Sequence, residues 1–155
     1  MSWDLIENAI MEKLIDEAQA NTLDFIAFMK NNDFSCERYR TENAGVRFNP
    51  AYKGDMFGSA GVFNDGGFVL WIGSVECFAD CEPVNSELKE LAWSHVVHCP
   101  QEKHCKPLYC ENSKRPWKIF GKEYESTCHA PLAFFAPDAK TLTGMKELLL
   151  LLKQN

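Results

Sequence analysis

Residues 3–18 place Trp3, Ile6, Ile10, Leu14 and Ala18 at steps of three and four, the spacing of one helical stripe. A break near Asn21 and Thr22 precedes a second short helix with Leu23, Ile26 and Met29 inward, so the helical part covers 3–31. Asn31-Asn32-Asp33 ends it, since short polar side chains compete for backbone hydrogen bonds. From Phe34 the period changes. Val46, Phe48, Met56, Ala60 and Val62 predict strands of a β-meander over 44–75, with a loop at Asn49-Pro50 that carries Tyr52, Lys53 and Gly54. Asn64-Asp65-Gly66-Gly67 between apolar runs is a hairpin turn. Its second arm, Phe68 to Ile72, is apolar at every position and predicts a central strand covered on both faces.

Pro83 and Asn85-Ser86 announce a helix over 86–99, with Leu88, Leu91, Ala92, His95, Val96 and Cys99 on one face. Pro100 stops it, because proline has no amide hydrogen and disfavours helix in the residue before it. An irregular loop rich in Cys, Lys and Pro follows over 100–116. Strands are predicted within 117–136, at Trp117–Phe120 and Ala130–Phe135. Pro137-Asp138 then caps a last helix over 138–153 whose buried stripe is Leu142, Met145, Leu148 and Leu152. The order predicts one α+β domain over 1–155, a sandwich of mainly antiparallel sheet (a meander) with helices packed on one face.

With 155 residues, 46% hydrophobic and 25% charged, the chain can bury a sizeable core and is neither disordered nor fibrous. A net charge of −6 without a Lys/Arg run argues against nucleic acid and anionic membranes as partners. The start lacks the basic lead and unbroken apolar run of a secretory signal. Leu148 to Leu152 is far shorter than the ~20 residues of a membrane helix. A cytoplasmic protein is expected.

That compartment changes how the seven cysteines read, since cytosolic thiols seldom pair as disulfides. Six of them, and all four histidines, lie between Cys77 and His129. Zinc prefers four soft or borderline ligands in a tetrahedron. Cys99, Cys105 and Cys110 span a helix end and a loop that can aim three thiolates inward, and Cys128, at the start of a strand, is the fourth candidate. The spacing matches no standard finger or ribbon, and the competing reading is small core residues and loop thiols. His95, His104 and His129 are substitute ligands, His95 because a helix puts it on the face of Cys99, whereas His98 points away and is expected to be solvated. Thiolates select zinc first, with iron as the second option. Such a site would hold together the region that carries it.

Two further chemistries compete. A cysteine beside His⁺ or a helix N-terminus can serve as a nucleophile or redox sensor, but Cys99 falls at a helix C-terminus, where the dipole opposes a thiolate. Cys77 and Cys81 miss the Cys-x-x-Cys spacing. The aromatic residues supply the other chemistry, either as core filling or as an apolar pocket beneath the meander. In the pocket reading, Tyr52, Trp71, Glu76, Trp93 and Phe134 would contact a small hydrophobic ligand. Glu76, Asp80 and Glu82 otherwise form a solvated acidic rim. The glycines form no phosphate loop, and no Gly-x-Ser-x-Gly elbow is present.

Several motifs together resemble a group of small bacterial domains of unknown function. They are the Tyr52-Lys53-Gly54 turn before a meander, a helix ending in Cys before a Cys-bearing loop, Ile119 to Tyr124 with Cys128, and a Pro-Asp-capped Leu-rich helix. Some of that group look like distant relatives of the gyrase-inhibitor-like (GyrI-like) small-molecule-binding fold. The resemblance implies an α+β sheet with helices on one face and a ligand groove, and brings no catalytic residue. The expectation is thus a non-enzymatic domain with a structural zinc, the alternatives being a GyrI-like ligand-binding module and a thiol-based sensor or Cys-dependent enzyme.

Overall fold

The computed structural model describes residues 3–81, 84–98 and 115–154. Two helices, α1 (Asp4–Lys13) and α2 (Asp16–Asn31), come first. The strands β1 (Phe34–Glu42), β2 (Gly45–Tyr52), β3 (Asp55–Met56), β4 (Gly58–Phe63) and β5 (Phe68–Ile72) follow. After a single 3-10 turn at Glu76–Phe78 come α3 (Ser86–Ser94), β6 (Val96–His98), β7 (Arg115–Ile119), β8 (Lys122–Phe135) and α4 (Ala139–Gln154). The described strands form one antiparallel sheet in the order β1-β2-β4-β5-β8-β6, with β3 beside β2 and β7 beside β8. The α+β architecture expected from the pattern is what the chain adopts.

The two-residue alternation of the strands sorts the sheet into faces. Phe48, Ala60, Val62, Leu70, Ile72, Leu132 and Phe134 point to one side and pack with Ile10, Phe25, Ile26, Leu88, Met145 and Leu148 from the helices. On the other side Arg47, Phe63, Trp71 and Phe135 gather. The Trp71 ring meets Phe63 and Phe135 edge-on at 6.4 and 6.0 Å, and the Arg47 guanidinium lies 5.4 Å from its centroid. Gly61 makes room for this, since a Cβ there would stand 2.9 Å from the Phe63 ring.

The strongest local signals are realised directly. Gly66, at φ 86°, turns the β4–β5 hairpin while Asp65 accepts the Gly67 amide at 3.1 Å. Asn85 caps α3 through the Leu88 amide and Asp138 caps α4 through the Thr141 amide, both at 2.8 Å. Central β5 has only Trp71 partly exposed.

Four boundaries differ from the expectation. The N-terminal stripe breaks at Leu14-Ile15 rather than at Asn21-Thr22, which lie inside α2. Gln19 explains the position of the break: its side-chain amide donates to the carbonyls of Met11 and Leu14 at 3.1 and 2.8 Å, satisfying acceptors that the end of α1 leaves open. No loop interrupts β2 at Asn49-Pro50. The β2–β4 ladder stops at Phe48–Ala60, and the Asn49 side chain then reaches the Gly58 carbonyl at 2.8 Å, so the proline falls where the ladder has already ended. The third helix ends at Ser94, with His95 as its cap, because the β-branched pair Val96-Val97 joins β8 instead. His95 is therefore not on the helix face expected of it, and Cys99 lies outside the described residues. Lastly, β8 runs unbroken for 14 residues, placing Cys128 in mid-strand rather than at a strand start.

The β4–β5 contact leaves no room at Gly58, where a Cβ would stand 2.0 Å from the Trp71 carbonyl oxygen, a backbone atom that cannot swing aside. Gly58→Ala is expected to cost roughly 1–3 kcal/mol. The check is a lowered urea midpoint at unchanged m-value.

Candidate functional site

Of the predicted zinc ligands, Cys99, Cys105 and Cys110, and the substitute His104, lie outside the described residues. Cys128 and His129 belong to β8 by backbone, and their side chains are likewise outside the described set. His95 is a packed residue, its ring 4.6 Å from Phe134 and its Nδ1 2.8 Å from the Leu91 carbonyl. His98 is exposed, as expected. The described residues include no group of three or more His, Cys, Asp or Glu side chains able to hold a metal.

The five pocket residues separate into different places. Phe134 is fully buried in the core, and Trp93 donates its indole N–H to the Ile119 carbonyl at 2.7 Å. Trp71 belongs to the open face of the sheet. Tyr52 and Glu76, however, line one cleft of about 720 Å³. That cleft lies between the β2–β3 turn, the 3-10 turn and the last residues of α4, and not beneath the meander.

The turn follows from its sequence. Lys53 (φ 51°) and Gly54 (φ 90°) both take positive φ between the paired Tyr52 and Asp55, the geometry that suits a tight hairpin. This stands Tyr52 at the edge of an aromatic wall, 5.6 Å from Phe34, which in turn lies 5.6 Å from Phe57. On the opposite side the 3-10 turn is anchored from below. Buried Phe78 packs at 5.2 Å on Phe120, and its carbonyl accepts the Phe120 amide at 2.8 Å. From α4, Lys153 reaches across the wall, its ammonium 5.7 and 5.2 Å from the Phe34 and Tyr52 centroids and 2.7 Å from the Asn32 carbonyl. Lys53 holds its own ammonium 5.2 Å from the Tyr52 ring. Sequence reasoning singled out the Tyr52-Lys53-Gly54 turn but missed Phe57 and Lys153, since nothing local signals that the end of α4 meets β3.

Cys77 lines the same cleft with its Sγ 3.7 Å from the Ser74 carbonyl. Burial, followed by the charge of Cys81, pushes its thiol up to about 11. Burial pushes Cys36 up to about 11 as well. Neither environment favours the thiolate that a nucleophile or sensor needs.

A second region has unusual polarity. Trp117 Nε1, Tyr124 Oη and Thr127 Oγ1 are buried with no hydrogen-bond partner among the described residues. Burial and the nearby Glu90 charge raise the Tyr124 pKa. His98 of β6 and Arg115 of β7 both stand in register with Thr127. The chain thus leaves the described structure at one rung of β8 and returns at that same rung, next to Cys128.

No protein-family model matches the chain, and no curated protein or solved structure matches it. Among the described residues, no helix is long and apolar enough to cross a membrane.

The thiols make two measurable statements. At pH 7.5 Cys36 and Cys77 should react with iodoacetamide on the order of a hundredfold more slowly than free cysteine, read by peptide mass spectrometry. A thiol raised in the fold above its unfolded value of about 8.5 stabilises fully below that value and loses its contribution as pH rises. Stability should therefore fall between pH ~8.5 and about 11. The Cys36→Ala/Cys77→Ala double variant should flatten that slope in thermal melts.

Proposed function

We propose that this chain is a non-enzymatic small-molecule-binding module of the GyrI-like kind, taking its ligand in the cleft between the β2–β3 turn and the end of α4. The cleft itself carries the reading: at about 720 Å³ it falls within the size range of small-ligand sites, with an aromatic wall and a few polar groups. Tyr52, Phe57 and Leu152 supply apolar surface, and Lys153 and Glu76 supply orientation. A neutral naphthalene alcohol at ten times its Kd should stabilise the fold by about 1.4 kcal/mol. This corresponds to roughly 3–6 °C in Tm for a chain of this size. Ser74→Trp, which fills the cleft from its rim, should remove that shift. Naphthalene probes that leave Tm unmoved whatever their charge would refute the reading.

A structural zinc is the second reading, supported by the strand register. His98 precedes Cys99 in the chain and stands opposite Thr127, which precedes Cys128. Arg115, where the described chain resumes, stands opposite Thr127 as well, so Cys99, Cys105 and Cys110 fall in sequence between two residues that face the neighbour of Cys128. A thiolate set suits zinc in tetrahedral geometry. Protein purified without chelator should carry about one zinc per chain, and Cys105→Ser should lower both zinc content and Tm. A zinc ratio near zero in protein whose thiols are all reactive would exclude it.

A further inference from the structure

Resting on the cleft as a ligand site, we infer that its ligand is a small organic anion with a flat apolar body, its acidic group drawn by the ammonium groups of Lys153 and Lys53 around Tyr52. Both ammonium groups lie 5.2 Å from the centroid of the Tyr52 ring. Both can therefore attract an anion brought to the Tyr52 side of the cleft.

The carboxylates nearby are more exposed than Lys153. Asp33 stands 3.7 Å from Lys153, but its side chain is 87% exposed, against 19% for Lys153. Asp55 and Glu76 line the cleft from exposed positions. Charges in water are screened, whereas a charge withdrawn from water acts at lower effective dielectric. Lys153 is the least exposed of these charged side chains, so its cation is screened less than the carboxylates beside it. Its ammonium has donated one hydrogen to the Asn32 carbonyl, leaving others to point at a ligand. Among the described residues Lys53 has no ion-pair partner.

The apolar half of the ligand follows from the wall. Phe57 is 5% exposed behind Tyr52, and Met56, at 40%, presents a flexible apolar arm at the rim. Flat rings can stack on Tyr52 and be covered by methionine, which fills irregular gaps well. A purely inorganic anion would leave that surface wet. A lipophilic cation would meet two lysines.

Calorimetric titration with 2-naphthoate, 2-naphthol and 2-naphthylmethylammonium at pH 7 tests the assignment. The expected order is naphthoate tightest, by about tenfold or more over the other two. Lys153→Gln should weaken naphthoate by about tenfold and leave naphthol unchanged, Lys53→Gln should weaken it by about threefold, and Lys153→Arg should retain most of the affinity. Because Lys153→Gln also loses its bond to Asn32, the arginine variant keeps the test readable if the glutamine variant folds poorly. The anion assignment is overturned if the ammonium or the alcohol binds as tightly as naphthoate. Equal loss of naphthoate and naphthol in Lys153→Gln overturns it too. If none of the three binds, the cleft reading fails along with the assignment.

Discussion

Leu70 and Ile72 stand opposite Phe134 and Leu132, and all four side chains are fully buried. These two rungs of the β5–β8 ladder join the meander to the C-terminal half, and every described helix packs against the face they define. Burying one such side chain is worth about 1.5–3 kcal/mol, so four in contact rival a large part of a small domain's net stability. A slip of one residue would turn Val69, Trp71, Ala133 and Phe135 inward and set the core residues on the open face. Register here is therefore held by apolar burial on one face more than by hydrogen bonds, which any register would satisfy.

From that ladder β8 extends beyond β5, pairing with β7 over Lys122 to Thr127 and with β6 between Thr127 and Leu132. The molecule consequently has two distinct ends. One is the β7–β8 ladder, where His98 and Arg115 flank Thr127, the neighbour of Cys128, and where the Thr127 hydroxyl, the Tyr124 hydroxyl and the Trp117 indole N–H lack partners among the described residues. The other is the cleft, where the last turn of α4 returns to the β2–β3 turn. Core packing of Leu148 and Leu149 sets how far α4 reaches and thus where Lys153 comes to rest.

The charges are arranged around this core rather than through it. Lys30 meets Glu7 at 2.7 Å between α2 and α1, and Lys146 pairs with Asp24 between α4 and α2. Partly exposed pairs of this kind add little stability each, but they fix how the helices are turned against one another. Lys153 differs because it combines low exposure with two aromatic faces, whose π-electrons attract its cation.

Much of the architecture was legible in the residues themselves. The Asn64–Gly67 turn, the Asn85 and Asp138 caps and the Leu142–Met145–Leu148 stripe depend on local backbone chemistry, so they can be read without knowing what lies across the sheet. The break between α1 and α2 was not legible, because it depends on Gln19 reaching back to two carbonyls. The length of β8 and the end of α3 at Ser94 were not legible either, because the partner strand decides whether Val96 and Thr127 extend. Of the aromatic residues grouped by type, Phe134 went to the core, Trp93 to the Ile119 carbonyl, Trp71 to the open face and Tyr52 to the cleft. The chain by itself determined the α+β class, the turns and the buried stripes, because each rests on periods and caps a few residues long. Only the tertiary structure decided that Tyr52, Phe57 and Lys153 share one cleft, because proximity between residues a hundred positions apart is set by how sheet and helices pack.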